Sequence, residues 1–510
     1  MRARADVVFP VLLPTLTAQP LTAFNANALA ALVQVAGPAL PKKLSAIITA
    51  LAKSLEDDKQ TDVRPDVEAA VQTILSSISD TDSLHQLMVL LLGWVGNVDQ
   101  PKRCVTGCRV FATFCAHKKS SVSISDYMVD WIRKLIFLFE ASSEDVVAAA
   151  WSALDASLKT VTKDEMEQLV VPLRRAVENV GTPGQGLPGF CLPKGAAPLV
   201  PVFLAGLMNG TAEQREQGAL GLSDIVERTS ADAIKPFVTT IVGPLIRACG
   251  DRHTPPVMAA ILTALTTTLQ HVAQHCRPFY PQLQRSFQKA VADPISATVR
   301  ARAGIALGVL MEYQPRADPV ITELLSGARA SLQGDHAADG GAAGGSGATI
   351  EAVDLADASA HALAHVLSHA PAKNVGAPSR EGLLRLLDDT FEQAADVRES
   401  FRKAIAEVCG SIAHMDASVL HDFVLDRVLG STDDVQAQLA SYCVLAMLNR
   451  APVEFHRDIS PEVSTKLGMK LNEWGALAHG VARQVREAKS LLKSTEPWSG
   501  DEKLLASLSI

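Results

Sequence analysis

Apolar residues along this chain recur every three or four positions in successive runs, the spacing of helices that bury one face. Between Lys235 and Asp251, Val238, Ile241, Val242, Leu245 and Cys249 form one such stripe. Arg247 lies two positions past Leu245, about 200° further round at roughly 100° per residue, so a helix that buries Leu245 turns Arg247 toward solvent. Tyr127, Trp131, Leu135 and Leu138 mark another amphipathic helix, with its aromatics in the core. In DPISATVRARAGIALGVL, Asp293 and Pro294 make a turn, and Val299, Ala303, Ala306 and Leu307 supply the buried face of the helix that follows. Alanines there let neighbouring helices approach closely.

These helices repeat. Arg215, Val257 and Val299 begin equivalent apolar segments 42 residues apart, a period that predicts HEAT-type helical hairpins. The first helix of each hairpin carries prolines: Pro198 and Pro201, then Pro236 and Pro244, then Pro278 and Pro281. An internal proline removes one backbone hydrogen bond and bends a helix, so bent first helices are expected. Further second helices are predicted at SSEDVVAAAWSALDASL, ADVRESFRKAIAEVCGSI and STDDVQAQLASYCVLAML, with capping signals at Ser142 to Asp145, Thr211 to Gln214 and Ser431 to Asp434. The expected fold is all-α, a HEAT/armadillo-like superhelical solenoid. Repeats are expected over 1–180 and 181–333, a flexible glycine-rich loop over 334–349, and degenerate repeats over 350–510 with an atypical cap from Lys466 to Ile510. GTPGQGLPGFCLPKG from Gly181 and GDHAADGGAAGGSGA from Gly334 both read as loops.

Composition agrees with this picture. Hydrophobic residues make up 48% of the chain and aromatics only 5%, which suits Ala- and Leu-rich helices packed closely on one another. The net charge of −8 gives no general attraction to nucleic-acid phosphates, so no direct DNA partner is expected. The pairs Lys118-Lys119, Arg133-Lys134 and Arg174-Arg175 read as solvated helix faces. The longest apolar runs, such as LMVLLLGWVG from Leu87, reach half of the roughly 20 residues that span a bilayer, so no spanning segment is expected. Asp6, Pro10 and Pro14 interrupt the apolar start, which reads as a repeat helix. Eight cysteines without a regular framework point to a reducing, cytoplasmic setting.

Candidate chemistry is sparse. His361, His365 and His369 share one helix face, but three ligands there span about 12 Å at 1.5 Å per residue. Zinc bonds are near 2 Å, so at most two of them could close on one ion, with Asp354 and Asp357 assisting only if the helix bends. A polar helix face is the preferred reading, and His271 and His275 beside Cys276 are read the same way. Cys104, Cys108, Cys115 and His117 lack zinc-knuckle spacing and read as buried helical cysteines with a nearby imidazole. Neither a G-x-S-x-G elbow nor a glycine-rich phosphate loop occurs, so no catalytic residue, metal or cofactor is assigned and a non-enzyme is expected.

The strings GFCLPKG, LVPVFLAGLMNG, TSADAIKPFVTTIVGPLIRACGDR and RPFYPQLQRSF fall in order between Gly189 and Arg329. This stretch resembles the C-terminal region of the general control nonderepressible (Gcn-one) translational activator family, giant HEAT-repeat scaffolds that activate the kinase acting on translation initiation factor two alpha. Weaker similarity reaches upstream to VVFPVLLPTL. The resemblance implies a non-catalytic scaffold that captures the N-terminal RWD domain of that kinase. The family arginine required for that contact matches Arg247, with Asp251 and Arg252 as neighbours on the same surface. A planar guanidinium on a rigid helix suits two-point binding of a carboxylate. The chain departs from the family at His253 and at Pro255-Pro256, and the glycine-rich insertion from Gly340 is expected to displace the next hairpin. The family's long N-terminal part, which resembles an elongation factor and associates with ribosomes and an ABC-type ATPase, is matched by no stretch of this chain. The alternative reading is an importin-β-like carrier or generic adaptor, against which stands the lack of an inner Trp/Asn ladder and of a long acidic loop.

Overall fold

The computed structural model describes residues 5–36, 40–332, 350–458, 461–477 and 481–508, and every regular element among them is helical. The fold is the expected succession of HEAT-type helical hairpins. It divides into two compact units, Met1–Ala248 and Cys249–Ile510. The predicted glycine-rich loop at 334–349 lies outside the described residues.

In the first unit the helices Pro41–Glu56, Thr81–Val95, Ser125–Phe137 and Lys163–Glu178 pack in sequence as one layer, and Ala23–Ala36, Arg64–Ser77, Pro101–His117 and Glu144–Leu158 as a second. Trp131 and Leu135 are buried, as their spacing predicts; Leu138 is buried too but lies in a 3-10 turn just past the helix end. The Trp131 ring stacks on Phe111 at 3.5 Å between centroids, and its indole N–H faces Met88 Sδ at 3.3 Å. Tyr127 is half-buried and meets the exposed His85 through its hydroxyl at 3.0 Å.

The stretch from Gly181 is more structured than a loop. Gly181 and Gly184 take positive φ, which their lack of a Cβ permits. Pro188–Cys191 then forms a helical turn in which Gly189 lies flat against the Phe139 ring. Trp151 Nε1 donates to the Gly195 carbonyl at 3.1 Å, and the Leu187 amide donates to the Arg228 carbonyl at 2.7 Å. Arg228 is buried and its Nε donates to the Val180 carbonyl at 3.0 Å. Arg174 reaches Asp224 at 3.1 Å and Gln217 at 2.6 Å, so it belongs to this clamp and not to a solvated face. Burial pushes the Asp224 carboxyl above its usual range, against the pull of Arg174 and Arg228.

In the second unit Pro255–Cys276, Ala297–Tyr313, Ala352–His369, Glu399–Asp416 and Asp434–Arg450 pack each against the next. The approach is close: a Cβ on Gly308 would meet the His365 carbonyl oxygen at 2.8 Å, and one on Gly410 the Ala446 oxygen at 2.7 Å. The insertion does not displace the next hairpin. Asp318–Ala328 packs on both Ala352–His369 and Ala377–Glu392, so the extra residues fall between the two helices of one repeat. Toward the C-terminus, Pro461–Leu477, Ala482–Ser494 and Glu502–Ser507 enclose Trp474 and Trp498, and Trp498 donates to the Pro452 carbonyl at 2.7 Å.

Three local expectations change. Among the six first-helix prolines, Pro244 lies inside its helix, whereas Pro201 and Pro281 sit at helix starts, Pro236 and Pro278 in 3-10 turns and Pro198 in the turn before Val200–Asn209, so most of them punctuate rather than bend. The Thr211–Gln214 capping box is present, but the cap of Glu144–Leu158 is Ser143 and that of Asp434–Arg450 is Asp433, whose carboxylate accepts from the Val435 and Gln436 amides. The Ser431 hydroxyl instead donates to the Arg427 carbonyl. Finally, one helical stretch, Pro255–Val291, is apolar and long enough to cross a membrane by length and composition. Val272 departs from helical geometry within it, and 61% of its apolar window is buried in the fold.

Candidate partner-binding surface

The helix Val238–Gly250 follows the 3-10 turn Lys235–Phe237. Val238, Ile241, Val242, Leu245 and Cys249 are all buried, joined by Ala248, and this anchoring fixes the direction of the opposite face. That face is open. Thr239, Thr240 and Arg247 are exposed, and a side chain added at Gly243, one turn before Arg247, would meet nothing within 4 Å. Arg247 occupies the last helical turn, where a cation is favoured by the partial negative charge of the C-terminal carbonyls. Among the described residues no carboxylate lies within ion-pair distance of its guanidinium. The result is a planar, double-donor cation on the open face of a helix anchored by its opposite side.

Asp251 and Arg252 are both exposed. The units divide after Ala248, so Arg247 belongs to the first and these two residues to the second. The departures that follow are accommodated locally: His253 is half-buried, and Pro255 and Pro256 open the helix Pro255–Cys276, a position where the missing proline N–H leaves no bond unmade.

The other singled-out residues are engaged internally. His361 Nδ1 meets Glu407 Oε2 at 3.3 Å and His369 Nδ1 meets the His365 carbonyl at 2.9 Å. Asp354 pairs with Arg300 at 3.1 Å and Arg398 at 3.2 Å, and Asp357 accepts from Ser400 at 2.5 Å. Among the described residues no group of three or more His, Cys, Asp or Glu side chains is arranged to hold a metal ion. Cys104, Cys108 and Cys115 are buried, with burial pushing the Cys115 thiol up to about 12, while His117 is exposed and meets the Thr113 carbonyl at 2.9 Å. Lys118 donates to the Val122 carbonyl at 2.7 Å and Arg133 pairs with Asp130 at 2.7 Å. Sequence reading missed the Arg300–Asp354–Arg398 chain, which links three successive second-unit segments. Its only trace was charges recurring at roughly the repeat length.

Residues 8–194 match the family described as stalled ribosome sensor GCN1-like, HEAT repeats. Over 332 residues, 64% of the chain, the sequence is 38% identical to the eIF-2-alpha kinase activator GCN1 of Saccharomyces cerevisiae. Over these stretches the chain is similar to the GCN1 family. It is also 35% identical over 336 residues to the stalled ribosome sensor GCN1 of Homo sapiens, and 34% identical over 339 residues to the protein ILITYHIA of Arabidopsis thaliana. In each case the match covers 65% of this chain and only 12% of the relative. The family match falls mostly upstream of the strings between Gly189 and Arg329, so both halves of the first unit carry GCN1-type sequence. Among solved structures, importin beta is similar with a TM-score of 0.42 and 13% identity, over 99% of this chain and 64% of that one.

Proposed function

We propose that this chain is a non-catalytic, cytoplasmic HEAT-repeat scaffold of translational control, and that Arg247 docks the RWD domain of the kinase acting on initiation factor two alpha. The observation that carries the reading is the isolation of Arg247: exposed, on a helix fixed by six buried apolar residues, beside the bare turn at Gly243 and, among the described residues, without a carboxylate at ion-pair distance. Arginine is, with tryptophan and tyrosine, one of the residue types enriched at the energetic centre of protein interfaces. Relatives named as eIF-2-alpha kinase activators support the choice of partner. Asp251 and Arg252 are assigned to the same contact as secondary residues. Contacts with the ribosome, in keeping with relatives named as stalled ribosome sensors, and with an ABC-type ATPase are assigned to parts of the scaffold outside this chain.

Capture of the purified kinase RWD domain by immobilised wild-type and Arg247→Ala chains tests the proposal. Capture is expected to fall sharply in the variant, with Arg247→Lys intermediate because a single ammonium cannot reproduce the two-point contact. Equal capture by wild type and Arg247→Ala removes Arg247 from the account.

A further inference from the structure

The first unit carries a second unsatisfied cationic site, remote in sequence from Arg247. A cavity of about 610 Å³ opens on the layer of second helices, between Arg64–Ser77, Pro101–His117 and Glu144–Leu158. Its walls include Arg64, Arg109 and His117, and Leu55 and Val110 give it an apolar part.

Other half-buried arginines of the first unit are neutralised at short range, such as Arg103 by Glu56 at 2.8 Å and Arg174 by Asp224 at 3.1 Å. Arg64 and Arg109 differ. Arg64 is positioned by one bond, from its terminal nitrogen to the Leu55 carbonyl at 2.8 Å, while its Nε is buried with no acceptor. Arg109 is exposed in the cavity, and no ion pair or side-chain hydrogen bond engages its guanidinium among the described residues. The one acidic residue on the wall, Glu68, pairs with neither.

We infer that this cavity binds an acidic peptide segment of a partner protein, with a carboxylate received by Arg109 and Arg64 and a neighbouring aliphatic side chain against Leu55 and Val110. The size argues for a chain and not a free anion, since a phosphate ion fills only a small part of such a volume. Glu68 repels a dianion more than a single carboxylate, and the chain's net charge of −8 disfavours a polyanion such as RNA. Arginine forks match the geometry of a carboxylate.

The test is fluorescence anisotropy with the full chain and a labelled octapeptide of alternating leucine and glutamate. The same peptide with lysine for glutamate, and inorganic phosphate as competitor, complete the set. Saturable binding of the glutamate peptide is expected, weakened about tenfold or more by Arg109→Glu, a loss typical of an interface hot spot. Arg133→Glu, whose parent pairs with Asp130 away from the cavity, is expected to bind as wild type does. Arg109 is exposed, so an unchanged melting curve is expected for its variant, and Arg64→Gln provides the second reading. Equal binding of the lysine peptide, equal binding by Arg109→Glu, or full displacement by millimolar phosphate overturns the inference.

Discussion

At the residue scale, periodicity was enough to place Arg247, because one helical stripe determines which way every other position points. It was not enough for the histidines. His361, His365 and His369 share a face in the sequence, but the group that decides their chemistry is Glu407, 46 residues away on another helix. The Glu407 hydrogen bond raises the His361 pKa above its ordinary value, so the stabilisation from this pair is complete below about pH 6.5 and is lost as pH rises through the raised value. His361 in turn holds Glu407 low, so that part is present above the ordinary glutamate range and is lost only as pH falls through the lowered value. Burial lowers His365, which works the other way: its neutral form is favoured, and stability declines as acid protonates it. Urea unfolding of wild type and His361→Gln should therefore differ more at about pH 6 than at about pH 8, because the stabilisation fades as pH rises through the raised His361 value. A difference that does not change between those values means that the pair is not ionised as described.

At the element scale, the helices were legible because apolar spacing sets both their existence and their buried side. Their ends were less so. Two serines precede Glu144–Leu158, and serine, threonine and aspartate precede Asp434–Arg450, and the chain direction in the preceding turn, which periodicity does not report, selects Ser143 and Asp433. Prolines were legible as markers but not as bends, since the same residue fits the first turn of a helix without loss. Two glycines separate packing from exposure. Gly308→Ala places a methyl against the His365 carbonyl and should destabilise the second unit by about 1–3 kcal/mol, as overpacked sites do. Gly243→Ala adds a methyl in open space on a helix and should stabilise by about 0.5–1 kcal/mol. Denaturant titration of both variants checks the pair, and the same sign for both contradicts the packing described.

At the scale of the whole molecule, the 42-residue period revealed the architecture, while the extra residues after Leu332 obscured where the next repeat resumes. The packing of Asp318–Ala328 on both neighbouring helices shows that the repeat continues across them. The acidic balance placed the chain away from nucleic acid, and that has a direct consequence. With a net charge of −8, the isolated chain should show no retention of poly(U) in filter binding at physiological salt, and strong, salt-sensitive retention contradicts the charge argument. Of the surfaces described, the Arg247 helix is the one for which a kinase partner is proposed here, from relatives named as eIF-2-alpha kinase activators. The most direct test of that claim is an isothermal titration of the kinase RWD domain into the wild-type chain and into Arg247→Ala. An affinity loss of about tenfold or more in the variant, with unchanged folding, is the predicted result; equal affinities for the two chains contradict it.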